Sequence, residues 1–389
     1  MAPPTVLLQL LLDDEEVEEL DARRRRQQQR LTYAMQAVRA VLRGTLSEDL
    51  FLLLDRKRTE SRMIRGIQNY VINVVPRYTD TQFKEHFRMD RSTFEVLLQV
   101  TQERLTTERT PRIPLHTKVL MALWLLGNQE SFRGVADRFG VNKGLLHYIV
   151  NNIIELWAGA APDFIQWPLS LQDVAHEFYR KWRFPGVVGA VDGCHIAIKA
   201  PEKEQDAYYN RKEFHSIILQ GCCDSNMAFT HVHAGSPGRM HDAKVFSASG
   251  LDRLVEKLPA NFHILGDSAY ALSVGLMRPY RNNGHLSAQE IKFNERLGAA
   301  RSVIERAFAQ LKGKFRRLKY LDMKGSALIS KYVLASCVLH NIILMSKDSF
   351  DCESLEEEGD DDDPSFDGNS TGVSESRGAL KRRAVMLAL

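Results

Sequence analysis

The stretch Val187-Val188-Gly189-Ala190-Val191-Asp192-Gly193-Cys194-His195 decides how this chain folds. Five apolar or small residues in a row, without the alternation of a half-exposed strand, are the pattern of a central strand buried on both faces. An acid closing such a strand calls for a function, because buried charges are paired or bind a metal. Phe262-His263-Ile264-Leu265-Gly266 repeats the arrangement and leads straight into Asp267, with Ser268-Ala269-Tyr270 following as a loop or helix start. Between the two, Ser236-Pro237-Gly238-Arg239-Met240-His241-Asp242 carries a third acid at the head of a helical pattern that runs to Leu258. Asp192, Asp242 and Asp267 are therefore expected at strand ends or in the turns after them.

Glu305 belongs to a helix. Ala300, Ile304, Ala307, Phe308, Leu311, Phe315 and Leu318 recur at helical spacing and form an apolar stripe. Glu305 lies just off that stripe, on an edge shared with Arg301, Lys312 and Arg316. One reading is an ordinary Arg301–Glu305 helix pair, worth about a few tenths of a kcal/mol. The other sets an acid among bases that could hold a phosphate backbone. Four carboxylates on separate segments suit phosphodiester chemistry, in which two ions about 3.5 to 4 Å apart activate the attacking oxygen and stabilise the leaving one. Hard oxygen ligands favour Mg²⁺, with Mn²⁺ the alternative. Most of the 49 Asp and Glu residues must be solvated surface groups, so no one of the four carries the inference alone.

Taken in order, the four phrases resemble the DDE domain of the PIF/Harbinger transposases and the Harbinger transposase-derived nucleases. The likeness spans residues 78–346 and includes Asn210-Arg211-Lys212, His215, Pro237-Gly238 ahead of His241-Asp242, Phe293-Asn294 and Leu339-His340-Asn341. The spacing of the acids fits as well: 50 residues from Asp192 to Asp242, 25 more to Asp267 and 38 more to Glu305. The resemblance implies an α/β fold, an RNase H-like mixed sheet flanked by helices, with Asp192 on the first strand, Asp267 after the fourth and Glu305 on a late helix. It implies a DNA endonuclease in which Asp192, Asp267 and Glu305 hold divalent ions and Asp242 assists, as a ligand, a supporting group or a helix cap. A separate Myb-like DNA-binding partner protein is implied too. Cys194 departs from the family pattern, in which Thr is common, and so does Ala269, where Gly often precedes the tyrosine. Neither change removes a ligand. The rival reading is a domesticated DNA-binding or chromatin protein that keeps the fold without cutting, and the presence of all four acids favours the nuclease.

The residues themselves agree with a mixed sheet. Strand-like segments His195–Lys199, Ser216–Cys223 and Met227–Ala234 follow Asp192. The carboxyl ends of neighbouring strands form the crevice of such sheets, which would bring Asp192 and Asp267 together.

Upstream, an all-α region precedes the sheet. Lys118–Gly127, Ser131–Phe139 and Asn142–Ile154 read as three helices, with Gly140-Val141 as a tight turn, an arrangement like a helix-turn-helix. In that motif Asn142, Lys143, His147 and Tyr148 would face DNA while Leu145, Leu146, Ile149 and Val150 pack inward. A plain three-helix support bundle fits the same pattern.

The chain divides into residues 1–75, an N-terminal tail with helical stretches whose role is open; 76–160, the helix-turn-helix-like region; 185–346, the nuclease domain; and 347–389, an acidic tail expected to be disordered. Arg30–Val75 is a candidate dimerisation or partner surface, so a homo-oligomer is kept open. Net charge is +3 overall, but residues 348–367 carry eleven acids and no base while 368–389 are +3, which leaves +11 on residues 1–347 (3 plus 11 minus 3). A basic body attracts phosphate through counterion release, and Lys312, Lys314, Arg316, Arg317 and Lys319 form its densest run near the proposed site.

Cysteines at 194, 222, 223, 337 and 352 have no metal-type spacing and read as reduced core thiols. His231 and His233 share a strand face and His241 lies nearby, yet nothing completes a tetrahedral zinc set. Val6–Leu12 lacks the basic flank of a secretion signal. No stretch reads as the ~20 apolar residues of a membrane span, so no membrane partner is expected. Arg23–Arg26 and Lys381-Arg382-Arg383 are basic clusters compatible with nuclear import, with the cytoplasm as a second location.

Overall fold

The computed structural model describes residues 69–105, 113–323, 325–348 and 372–389. The Arg23–Arg26 cluster, most of the Arg30–Val75 segment, Cys352 and most of the acidic run lie outside these residues. Leaving single-turn helices unnumbered, the amino-terminal part consists of α1 (Asp80–Phe87), α2 (Arg91–Glu103), α3 (Leu115–Gly127), α4 (Phe132–Phe139), α5 (Lys143–Gly159) and α6 (Leu171–Trp182). Local chemistry starts and stops these helices where the sequence suggests. Thr79 and Gln82 form a capping box for α1, Ser131 caps α4, and Gly140 at φ +65° ends α4 in the left-handed conformation. Asn142 accepts a hydrogen bond from the Leu145 amide at 2.7 Å and so caps α5.

α3 is buried on all sides from Val119 to Gly127, so it is the central post of this region rather than an amphipathic surface helix. α5 extends five residues past the expected end because Trp157, fully buried, docks its indole N–H on Thr101 Oγ1 at 2.9 Å. The helices and one face of the sheet share a single hydrophobic core.

The sheet consists of β1 (Val187–Ile198), β2 (Ser216–Cys223), β3 (Phe229–Pro237), β4 (His263–Leu265), β5 (Leu276–Met277) and β6 (Tyr320–Leu321). Its order is β3-β2-β1-β4-β5, with β6 pairing to the end of β1. The first three strands form an antiparallel meander and β4, β5 and β6 join in parallel, so this is a mixed sheet of RNase H-like type. Between β3 and β4 lie α7 (Asp242–Ala248) and α8 (Leu251–Glu256), two helices where one was expected. α9 (Ala288–Lys314) lies across β1 and β2, and α10 (Ser326–Met345) packs against β3 and α5.

Four expectations change. Asp192 does not end its strand: β1 continues to Ile198, paired with β2 over Ala190–Ala197 and with β6 at Ala197–Ile198. α10 is, by length and composition, apolar enough to cross a membrane, contrary to the expectation that no stretch is, and it is instead buried in the core. Within the tail expected to be disordered, Gly372–Leu387 is a helix, α11, because the acidic run stops at Asp367 and an apolar-basic segment follows. Lys381 Nζ donates at 2.6 Å to both Phe262 O and Val274 O, and Arg382 stacks 3.9 Å over the Tyr280 ring. Asp348 is likewise placed, with Oδ1 2.6 Å from Lys84 Nζ and Oδ2 accepting from the Asp90 amide at 2.6 Å.

Candidate active site

β1 and β4 run parallel with Ala190 opposite Leu265, so two residues further on Asp192, midway along β1, and Asp267, just past the end of β4, come level with one another. Asp242 is the first residue of α7 and comes from the far side of the β3 crossover. It lies over the backbone at Gly193, where an added Cβ would come within 2.7 Å of its Oδ1. Only glycine allows that approach. His241, not Asp242, occupies the position before the helix, so the cap reading of Asp242 does not hold. Asp267 Oδ1 accepts the Ala269 amide at 3.0 Å, which turns the chain after β4 and fixes the carboxylate.

Glu305 arrives on α9. The stripe Ala300, Ile304, Ala307, Phe308 and Leu311 is buried as expected, and Phe308 sits on Gly221, where a Cβ would come 3.0 Å from its ring. Gly221 is the β2 partner of Asp192, so the missing side chain lets α9 descend until Glu305 reaches the Asp192 side of the sheet. Arg301 joins the two. Its Nη1 lies 2.8 Å from Asp192 Oδ2 and its Nη2 2.7 Å from Glu305 Oε1. The Asp192 and Arg301 side chains are only 20% and 17% exposed, whereas Glu305 is 51% exposed.

The electrostatics follow from this crowding. Burial pushes the Asp192 carboxyl well above the ordinary carboxylate range; Arg301 pulls it back, and Asp267 and Asp242 add to the rise. Asp192 Oδ1 also accepts the Gly193 amide at 2.8 Å. Tyr270 lies beneath the cluster, fully buried. Its phenol is held protonated first by burial and then by Asp242, Asp192 and Asp267, so all three carboxylates lie within electrostatic reach of one hydroxyl. Gln220, on β2 opposite Gly193, donates to the Tyr270 hydroxyl at 3.4 Å and keeps a buried Oε1 with no hydrogen-bond partner among the described residues. The sequence pattern does not single out Tyr270 or Gln220 as site residues. Tyr270 follows Asp267 by three positions and could have been suspected; Gln220 carries no signal in a strand pattern.

The quoted phrases that hold no acid prove to be anchors. Asn210 knits its own loop, accepting the Lys212 and Phe214 amides and donating to Ser216 Oγ, while Arg211 reaches His241 Nδ1 at 3.2 Å on the rim of the site. Asn294 holds Tyr280 by both its N–H and C=O. Asn341 grips both backbone groups of Phe229, and His340 donates to Met227 O at 2.9 Å, fastening the β2–β3 hairpin to α10.

The residues expected to face DNA divide into three groups. Lys143 and His147 are exposed on α5, His147 against the Phe132 ring, while Asn142 commits its side-chain oxygen to the cap. Arg301 points into the acid cluster. Lys312 is half-buried near the end of α9 and Arg316 is exposed in the turn after it, but Lys314 and Arg317 of the same run are buried. Arg317 donates to Glu130 O at 2.8 Å and stacks over Phe132, a partner 185 positions earlier that the local pattern cannot reveal.

Hard carboxylate oxygens are the right donors for Mg²⁺ or Mn²⁺. As arranged, however, no three His, Cys, Asp or Glu among the described residues stand close enough to hold one ion, and the Arg301 guanidinium sits between Asp192 and Glu305.

Residues 191–341 match the DDE superfamily endonuclease model, from one residue before Asp192 to Asn341. A rat protein named "Putative nuclease HARBI1" is 34% identical over 251 residues, 61% of this chain and 70% of its own length. The human protein of that name is 32% identical over 284 residues, 68% of this chain and 78% of its own. The chain belongs to the Harbinger transposase-derived nuclease family. An Arabidopsis thaliana relative of the Harbinger-type chain, named "Antagonist of like heterochromatin protein 1", is 29% identical over 297 residues, covering 69% of this chain and 74% of its own. No solved structure matches.

Proposed function

We propose that this Harbinger-family chain is a divalent-metal-dependent DNA endonuclease acting in the nucleus. The observation that carries the reading is the convergence of four remote segments: the β1–β4 register brings Asp267 level with Asp192, Asp242 lies against Gly193, and Arg301 ties Asp192 to Glu305. Asp192, Asp267 and Glu305 would hold the metal, Mg²⁺ or Mn²⁺, which when bound supplies an activated water and charge stabilisation at the cleaved phosphodiester. Asp242, pressed on Gly193, steadies the strand that carries Asp192. Lys143, His147, Lys312 and Arg316 would position the phosphate backbone. A Myb-like partner would add sequence choice, and the Arg23–Arg26 cluster an import signal, since Lys381 and Arg382 are committed to the body. The rival, a chromatin protein without cleavage, draws on the Arabidopsis relative's name and on the guanidinium between two of the acids.

Cleavage of supercoiled plasmid by the full chain with Mg²⁺ or Mn²⁺ tests this, beside Asp192→Asn, Glu305→Gln and an EDTA control. Cutting that needs the metal and both acids supports the nuclease. Salt-sensitive DNA binding in all three proteins without cutting in any supports the chromatin reading.

A further inference from the structure

Arg301 makes more of its position than a helix pair requires. An i,i+4 Arg–Glu pair on an exposed face would leave Asp192, on a strand 109 residues away, untouched. Instead the two terminal nitrogens of one guanidinium are shared between two carboxylates from different elements, at 2.8 and 2.7 Å. Asp192 also feels Asp267 and Asp242, so the cluster has an excess of negative charge that a cation must offset. A guanidinium cannot leave by losing its proton; it can only swing away. The helix provides for this. Side chains on a helix lean toward its amino end, and the residue one turn back is Gly298, where an added Cβ would meet nothing within 4 Å.

We propose that Arg301 is the built-in counter-cation of the acid site, holding Asp192 and Glu305 together without metal and swinging toward Gly298 to yield that place when a divalent ion binds. The proposal rests on the metal-dependent reading above. It makes Arg301 a positioning residue whose removal strengthens metal binding, the reverse of what removing a ligand does.

The test is Mn²⁺ uptake by the full chain, followed by electron paramagnetic resonance, together with Tm in the presence and absence of Mg²⁺. Arg301→Gln should bind Mn²⁺ roughly tenfold or more tightly than wild type. Without metal it should melt lower, and saturating Mg²⁺ should close that gap. Should Arg301→Gln not fold without metal, Arg301→Lys replaces it, since a single ammonium cannot span both acids and Mn²⁺ affinity should again rise. Equal or weaker Mn²⁺ binding in the variants, with wild type still binding, overturns the proposal and leaves the metal-dependent reading standing. Absence of Mn²⁺ uptake that depends on Asp192, in wild type and variants alike, overturns both.

Discussion

The helical base and the acid-bearing part of the sheet are built on opposite terms, the base around one hydrophobic cluster and Tyr270 beside the acids in a second. Around α3, α5 and α10 the side chains are apolar, closely packed and satisfied, down to the Trp157 indole on Thr101 and the two-sided grip of Asn341 on Phe229. At the carboxyl end of β4 the fold instead gathers Asp192, Asp242 and Asp267 over a buried tyrosine and raises the Asp192 carboxyl well above its usual range. One region contributes stability; the other costs stability and holds the chemistry, as expected where activity needs charges that folding alone would not keep.

The largest effects should separate the two regions by sign. Trp157→Ala removes a fully buried ring and its hydrogen bond, and should cost about 3 to 5 kcal/mol in denaturant unfolding. Asp192→Asn should abolish plasmid cutting and raise Tm at neutral pH. A carboxyl whose pKa is raised by folding adds its stability below its ordinary pKa and loses it as pH rises, so the advantage of Asn should shrink toward about pH 4. An Asp192→Asn protein that melts lower than wild type at neutral pH would break the comparison.

The base has its own pH weakness. His340 is buried and its pKa is depressed to about 4, first by burial, so it folds neutral. Its stability is complete above about pH 6.5 and is lost as pH falls toward 4, about 3 kcal/mol in all. His340→Gln, which can still donate to Met227 O, should flatten that acid limb in unfolding titrations from pH 7 to 4.

A smaller effect tests the glycine under Asp242. Gly193→Ala should lower cutting roughly 10- to 100-fold with the fold retained by circular dichroism, since it displaces a supporting carboxylate rather than a ligand. Smallest of all, Arg316→Ala and Lys143→Ala should each reduce the salt dependence of DNA binding by about one phosphate contact. An unchanged slope for Lys143→Ala would make α5 a support helix only.

Much of this was legible because it is local. β2 occupies the span expected, the α9 stripe is buried, and the α4–α5 turn lies at Gly140. The course of β1 past Asp192 was not legible as one strand, because Asp192-Gly193 interrupts the apolar pattern and the continuity rests on pairing with β2 over Ala190–Ala197 and, at Ala197–Ile198, with β6 more than 100 residues later. The burial of Lys314 and Arg317 was hidden for the same reason: a basic run looks solvated until remote side chains such as Phe132 close over it. The acids could be named from their phrases, but that an arginine on the same helix as Glu305 would bridge to Asp192 depends on how far α9 sinks onto the sheet.

That depth is set by Gly221. With the Phe308 and Phe229 rings each 3.0 Å from where a Cβ would stand, α9 acts as the jaw of a caliper and Gly221 as its zero mark. One methyl group inserted there would open the gap between Glu305 and Asp192 without touching either, detuning the site from behind.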